Sequence, residues 1–334
     1  MYLPAEWERQ EFIQLVFPHE NTDWNEYLQE AIDTFVCIAK TIVKYQKCLI
    51  VAKNLAYIKS LFRNKKNLTF VKLTSDDTWS RDFGGITVSH NGEKTVLDFK
   101  YNAWGKKFAY KLDDQITKQL KTKGLLKGYN HKSIPFVLEG GAIESNGAGV
   151  ILTTKRCLLE KNRNPTMTQQ LIEKKLMEYC GAKKVLWLES GFLQGDDTDS
   201  HIDTLARFTD ENTIVYQSCD DKEDIHYEEL LQMKNELTQF RDQAEKSFKL
   251  IALPWVSAKY YDDERLPATY ANFLIINQAV LVPTYDDPND VKALAIIKKL
   301  FPKREVIGID CQILIRQHGS LHCVTMQYPT INSK

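Results

Sequence analysis

Two stretches of this chain repeat one another, and the repeat limits the folds open to it more than composition does. RDFGGITVSHNGEKTVLDF begins at Arg81 and LEGGAIESNGAGVILTT at Leu138. Each carries an acidic residue, a Gly-Gly pair after a short gap or none, an apolar run, an Asn-Gly pair and a second apolar run. Asn-Gly between alternating apolar runs marks a tight hairpin, because both turn positions take positive φ. Looser copies follow. HIDTLARF from His201 leads through Thr-Asp-Glu-Asn into TIVYQS, Tyr270 to Ile276 leads through Asn-Gln into AVLVP, and His322 to Gln327 stands near the end of the chain. With Asp82, Glu139, His201, Tyr270 and Cys323 as markers, the unit recurs every 50 to 70 residues or so, roughly the spacing of a repeat architecture.

Between the hairpins lie amphipathic patterns that predict helices over 24–42, 113–120, 166–179, 227–248 and 290–300. In the fourth, Leu230, Met233, Leu237, Phe240 and Ala244 step by three or four and define one apolar face. Several of these patterns feed short strands: CLIVAK (48–53), KVLWL (184–188) and KLIAL (249–253). A helix-plus-sheet unit with too little core to stand alone must pack on its neighbours, and five such units can close into a ring. The expectation is a five-fold pseudosymmetric α/β propeller, one domain over 1–334, with the first strand of each hairpin lining the axis. On that reading His201 and Asp203 share one strand face by the period of two. Cys323 falls in a stretch that alternates like a strand after the turn signal Gly319-Ser320.

Lys plus Arg and Asp plus Glu number 44 each, so no overall field draws the protein to nucleic acid or anionic lipid, and a small ligand is expected. Phe273 to Val282, the most apolar stretch, is about half a membrane span and contains Asn277 and Gln278. No signal-peptide pattern precedes Pro4, Glu6 and Arg9. Seven scattered cysteines without a CxxC suit reduced thiols and a cytoplasmic location. Exposed helices would leave a surface for homo-oligomers.

The first strands share an address, and what they bring to it is Asp82, Glu139, His201 with Asp203, and Cys323. Three carboxylates, an imidazole and a thiol make a poor core, because buried charge needs compensation; a cation is expected to bind among them. Singly, each has a plainer explanation: Asp82 could pair with Arg81, and Cys323 could be a packed small hydrophobe. Zinc on His318, His322 and Cys323 is disfavoured, since Gly319-Ser320 breaks any helix that would align the two histidines. The glycines of EGGAIESNGAG enter a hairpin instead of a helix and match no phosphate-binding loop.

WSRDFGG, LEGGAIESNGAGVILTT, NRNP (162–165), DTDSHIDTLARF, RLPATYANFLIIN and GSLHCVTMQ, with PAEWERQ from Pro4, together resemble the agmatine deiminase branch of the guanidino-group-modifying (pentein) superfamily, close kin to the bacterial peptidylarginine deiminases. The resemblance spans about Pro4 to Gln327 and implies a five-fold α/β propeller. By motif, Cys323 is similar to the family nucleophile and His201 to its general acid and base. Asp82 and Asp203 correspond to the carboxylates that clamp a guanidinium, and Glu139 to the acidic partner beside the histidine. Where the family carries a glycine-rich run before the cysteine, this chain reads Arg316-Gln317-His318-Gly319-Ser320.

The residues suit the implied chemistry. A guanidinium is planar and stays protonated to a pKa above about 12, and two carboxylates can grip its forked N–H donors. Cys323 would add to its central carbon, His201 would protonate the departing ammonia, and water would release a ureido product from a covalent thiouronium. Trp79 and Trp104 would wall the substrate's methylene chain. No metal or organic cofactor has a role. The implied reaction is agmatine to N-carbamoylputrescine and ammonia, with free or peptidyl arginine as the alternative substrate. Asn272 and Asn277 read only as caps of hairpin backbone.

Overall fold

Asn91 and Gly92 turn as their sequence demands, with φ of 50° and 81°. They join strand Ile86–His90 to its antiparallel neighbour Glu93–Lys100, which runs parallel to Asn130–Val137. The computed structural model describes residues 1–330. Among them the same connectivity recurs: an antiparallel hairpin, then a crossover to a parallel third strand. It joins Glu144–Ser145, Val150–Thr154 and Lys184–Leu188; then Ala206–Asp210, Thr213–Gln217 and Lys249–Leu253; then Leu274–Ile275, Ala279–Thr284 and Glu305–Asp310. The fifth copy is built from both ends of the sequence. Thr325–Pro329 pairs antiparallel with Gln10–Val16, which runs parallel to Lys47–Ala52 and, beyond it, Leu68–Lys72. The fold is mixed α/β, in five separate sheets of one connectivity plus a small hairpin at Lys259–Tyr261 and Glu264–Leu266. None of the sheets closes on itself.

The helices follow the apolar stripes that predict them. Leu28–Ile42 buries Ala31, Ile32, Phe35, Ile38, Ala39 and Ile42, steps of three and four that place one face on the core. Asp290–Leu300 has the predicted bounds. The helix predicted over 227–248 stops at Gln239, so Leu230, Met233 and Leu237 are buried, while Phe240 is only half-buried and Ala244 exposed. Asp242 is the cause: its side chain accepts the N–H groups of Ala244 and Lys246, a local bond that competes with helix.

A second correction concerns the markers. Asp82 lies in the short helix Ser80–Phe83, Asp203 in the 3-10 turn Ile202–Thr204 with His201 just before it, and Glu139 immediately before the turn Gly140–Ala142. Cys323 precedes strand Thr325–Pro329. The functional candidates thus sit on turns that enter the first strands, and the strand-face argument for His201 and Asp203 fails. Thr204 explains why: its hydroxyl and its N–H both donate to the His201 carbonyl and close a turn there. No helix among the described residues is long and apolar enough to cross a membrane.

Candidate active site

The turns bring four of the five markers into one buried cluster around Gly141. A Cβ on Gly141 would lie 2.6 Å from His201 Nδ1, 2.8 Å from Asp82 Oδ1 and 3.1 Å from Asp203 Oδ2, so no larger residue fits at the centre. The Gly-Gly of the repeat is therefore a space requirement as much as a turn signal. Gly141 also donates its N–H to Asp82 Oδ1 (3.0 Å), and the Trp104 indole N–H donates to Asp82 Oδ2 (2.9 Å). His201 Nδ1 stands 3.6 Å from Asp82 Oδ1. Arg81 does not pair with Asp82; it donates to the His322 carbonyl and the Gln327 side chain.

Cys323 Sγ lies 3.9 Å from Asp203 Oδ2 and 3.3 Å from Asn272 Nδ2. Asn272 Oδ1 accepts the N–H groups of His322 (2.8 Å) and Cys323 (3.3 Å), so this residue fixes the backbone that carries the thiol. Asn277, by contrast, only caps backbone, bonding Gln10 N–H and C=O. Asp203 Oδ1 and His201 Nε2 are buried without a hydrogen-bond partner. Unsatisfied buried groups of this kind are costly to keep and point to an absent ligand.

Glu139 departs from expectation. Its carboxylate does not hydrogen-bond His201; both its oxygens accept from Arg163 Nε, at 2.9 and 3.1 Å. Arg163 is held in turn by Asp199 Oδ2 (2.7 Å) and the Thr198 carbonyl (2.8 Å). Glu139, Cys157 and His201 place ligand-type atoms within 4.8 Å of one another. The Arg163 guanidinium already occupies Glu139, however, and its positive charge opposes a divalent cation there. The zinc reading of His318, His322 and Cys323 fails on the structure too, since His322 directs its two ring nitrogens to carboxylates and His318 Nδ1 bonds the Gly195 carbonyl.

Charge in the cluster is strongly perturbed. Burial would lower the His201 imidazolium, but the negative charge of Asp82, the neighbouring Cys157 sulfur and the charge of Glu139 outweigh it and lift its pKa to about 10. Burial, with Asp203 and Glu139, lifts Asp82 to about 6 against the opposing pull of His201. Burial also pushes the Cys323 thiol well up, and the charges of Asp203 and Asp82 push it further. These charges favour a protonated imidazole and a protonated thiol at neutral pH.

A cavity of about 230 Å³ reaches Asp82 and Cys323. His201, Asp203 and Glu139 do not line it; they stand behind those two. Trp79, Trp104 and Phe108 wall it, and Asp23, Asp77 and Asp197 supply the rest of its charge; no Lys or Arg is among the lining residues. Asp77 is half-buried, lifted to about 7 by desolvation and by Asp23, and its two oxygens accept the indole N–H groups of Trp24 and Trp79, both at 2.8 Å. Gly319 is needed against Trp79, whose ring a Cβ would meet at 2.1 Å. His318 adopts φ of 64°, the left-handed region that glycine favours.

A sequence profile of the Porphyromonas-type peptidyl-arginine deiminase family matches residues 2–329. The chain belongs to this family. Its curated relatives include the agmatine deiminase of Pseudomonas aeruginosa, 30% identical over 98% of this chain and 95% of the relative. Among solved structures, a Cys-to-Ser variant of C. jejuni agmatine deiminase with substrate bound is 42% identical, with a TM-score of 0.93 over 98% of this chain and 96% of that one. The agmatine deiminase of Enterococcus faecalis is 27% identical, with a TM-score of 0.90 over 100% and 96%. A dimethylarginine dimethylaminohydrolase, 12% identical with a TM-score of 0.51 over 96% of this chain and 100% of that one, shares the fold alone.

Against this family background, the residues that sequence reasoning left without a role are Glu6, Asp77, Arg163, Asn272 and His322. Four of them sit inside motifs that carry the resemblance: PAEWERQ, NRNP, RLPATYANFLIIN and GSLHCVTMQ. Only their partners, scattered over the chain, show what they hold.

Proposed function

We infer that the protein is an agmatine deiminase, hydrolysing agmatine to N-carbamoylputrescine and ammonia. The observation that carries this reading is the charge lining one cavity: it reaches Asp82 and Cys323, with Asp203 3.9 Å from the sulfur, and it also carries the carboxylates Asp23, Asp77 and Asp197 with no Lys or Arg. A substrate with a guanidinium and a second cationic group, as agmatine has, matches that lining. The α-carboxylate of arginine would meet like charge with no Arg or Lys to receive it. Lys107 stays outside the lining, bonded to Asp199 and the Asp197 carbonyl.

The guanidinium does more than bind. Its positive charge offsets Asp82 and Asp203, the two groups that burden the Cys323 thiolate, so the thiol proton leaves to solvent when the cation arrives. The thiolate adds to the guanidinium carbon, and His201, already protonated, gives its proton to the departing nitrogen. Ammonia leaves, and an S-alkylthiouronium remains on Cys323. The now neutral His201 takes a proton from water as the water adds to the same carbon, and collapse expels the thiolate and the ureido product. Glu139, held by Arg163, contributes its negative charge to the basicity of His201. Trp79 and Trp104 wall the methylene chain.

Ammonia release from agmatine, free arginine and an arginine-containing peptide, measured side by side, tests the assignment. Agmatine should exceed the other two in kcat/KM by about two orders of magnitude or more, the scale of one misplaced charge in a closed site. Equal or better turnover of arginine or the peptide would remove agmatine as the substrate.

The pH dependence follows from the same charges. For the free enzyme, kcat/KM needs Asp82 ionised and His201 protonated. Asp82 takes up its proton near pH 6 and Asp77 near pH 7, so activity falls on the acid side across that range. His201 loses its proton near pH 10, so activity falls again above it. A profile flat from pH 4 to 7 would exclude Asp82 from guanidinium binding.

A further inference from the structure

Glu6 and His322 lie 316 residues apart in sequence and meet directly behind the nucleophile, which is the residue next to His322. His322 Nε2 stands 2.6 Å from Glu6 Oε2, and its Nδ1 stands 2.7 Å from Asp203 Oδ2. Both ring nitrogens face carboxylate oxygens at hydrogen-bond distance, so the ring bridges two carboxylates. Glu6 is fixed from the other side. Its Oε1 accepts the Ile275 N–H (2.6 Å), and its Oε2 also accepts from Arg207 Nη2 (2.9 Å). Arg207 in turn donates Nε to Glu144 Oε2 (2.9 Å) and Nη1 to the Phe273 carbonyl (2.8 Å). Arg81 Nη2 approaches Glu6 at 3.7 Å. Glu6, Glu144 and Asp203 are thus balanced by Arg81, Arg207 and His322, all buried.

The two oxygens of Asp203 are treated differently by this network. Oδ2 is pinned by His322, while Oδ1 is buried with no partner. Burial alone would raise the Asp203 carboxyl; the hydrogen bond and charge of His322 outweigh it and hold the group ionised. Neither Glu6 nor His322 contacts the cavity that reaches Cys323, and neither has a part in the chemical steps above.

We propose that Glu6 and His322 are positioning residues for the guanidinium site, locking one oxygen of Asp203 so that the other is held, ionised and oriented, for a substrate N–H. The proposal rests on the reading of Asp82 and Asp203 as the guanidinium clamp. A network that only held the fold together would disturb the Cys323 thiol and the clamp alike. A positioning role affects the cation and spares the thiol.

Two alkylating reagents of similar size separate these cases. Chloroacetamidine is a cationic amidine and iodoacetamide is neutral; in each the Cys323 sulfur forms a bond to carbon as the halide leaves with the bonding electrons. The rate of adduct formation on the Cys323 peptide is read by mass spectrometry, with the exposed Cys37 as an internal reference. In Glu6→Gln and His322→Gln the cationic reagent should slow by roughly 10- to 100-fold, the scale of a charge-assisted hydrogen bond, while the neutral reagent changes by no more than about threefold. His322→Asn places an amide N–H where Nδ1–H was, and should recover the cationic rate to within about fivefold of wild type. Equal slowing with both reagents, or no advantage of His322→Asn over His322→Gln, overturns the proposal. Glu6→Gln leaves the residue beside Cys323 intact, and it decides the matter should the histidine variants not fold. If the wild-type protein shows no greater preference for the cation at Cys323 than at Cys37, the guanidinium clamp itself is wrong and the proposal falls with it.

Discussion

Replacing Cys323 by serine removes turnover and leaves agmatine bound. Serine cannot form a stabilised anion near neutral pH, and the imidazole beside it cannot act as its base, because His201 is protonated up to about pH 10. The loss in kcat should be four orders of magnitude or more, roughly the cost of removing a nucleophile elsewhere. The dissociation constant, measured calorimetrically, should stay within about threefold, because Sγ to Oγ changes neither clamp carboxylate. Ammonia release above one per cent of wild type, or about a hundredfold loss only, would mean that another group attacks the carbon.

The second large effect belongs to the clamp. Asp203→Asn keeps size but turns one acceptor into an N–H pair, against the ring of His322 on one side or the guanidinium on the other. Asp82→Asn does the same where Gly141 and Trp104 already donate. Removing one partner of a buried charge pair costs about 3 to 5 kcal/mol, so kcat/KM should fall by roughly two to four orders of magnitude in either variant. Asp310→Asn is the control. Asp310 is exposed, and its Oδ1 accepts the Gln312 N–H at 3.0 Å, a bond that asparagine can keep. With circular dichroism confirming that all three are folded, agmatine hydrolysis indistinguishable among them would show that the guanidinium is bound by other groups, and the substrate assignment would go with the clamp.

How much of this was legible beforehand depends on distance along the chain. The repeat was, because a hairpin is a local event: Asn91 and Gly92 announce their own turn, and five like starts predict five like sheets. The convergence of Asp82, Glu139, His201 and Cys323 was too, since they occupy corresponding places in the repeat and Asp203 stands two residues from His201. Their local conformation was not. Period-two alternation in HIDTLARF reads as strand, and only the bonds from Thr204 to the His201 carbonyl reveal a turn. The end of the helix at Gln239 was hidden for a similar reason, because the apolar stripe runs on while Asp242 takes the backbone donors. What stayed out of reach altogether were pairings between distant segments: Glu139 with Arg163, Asn272 with Cys323, Glu6 with His322. Glu6, one of two glutamates in PAEWERQ, carries no mark of a partner more than three hundred residues away.

The fifth sheet has a consequence for the order in which the enzyme comes into being. Its antiparallel pair is Gln10–Val16 with Thr325–Pro329, so one strand waits in synthesis for a partner about three hundred residues further along the chain. Closing so long a loop adds only a logarithmic entropy cost, but it makes the pairing late, since contacts of high sequence separation form slowly. Cys323 arrives just before the later strand, and Glu6, which bonds its neighbour His322, just before the earlier one. A nascent chain that has folded the other four sheets therefore holds Asp82, Glu139, His201 and Asp203 together without Cys323. The cluster around Gly141 is assembled in full only when the fifth sheet draws its distant strands together.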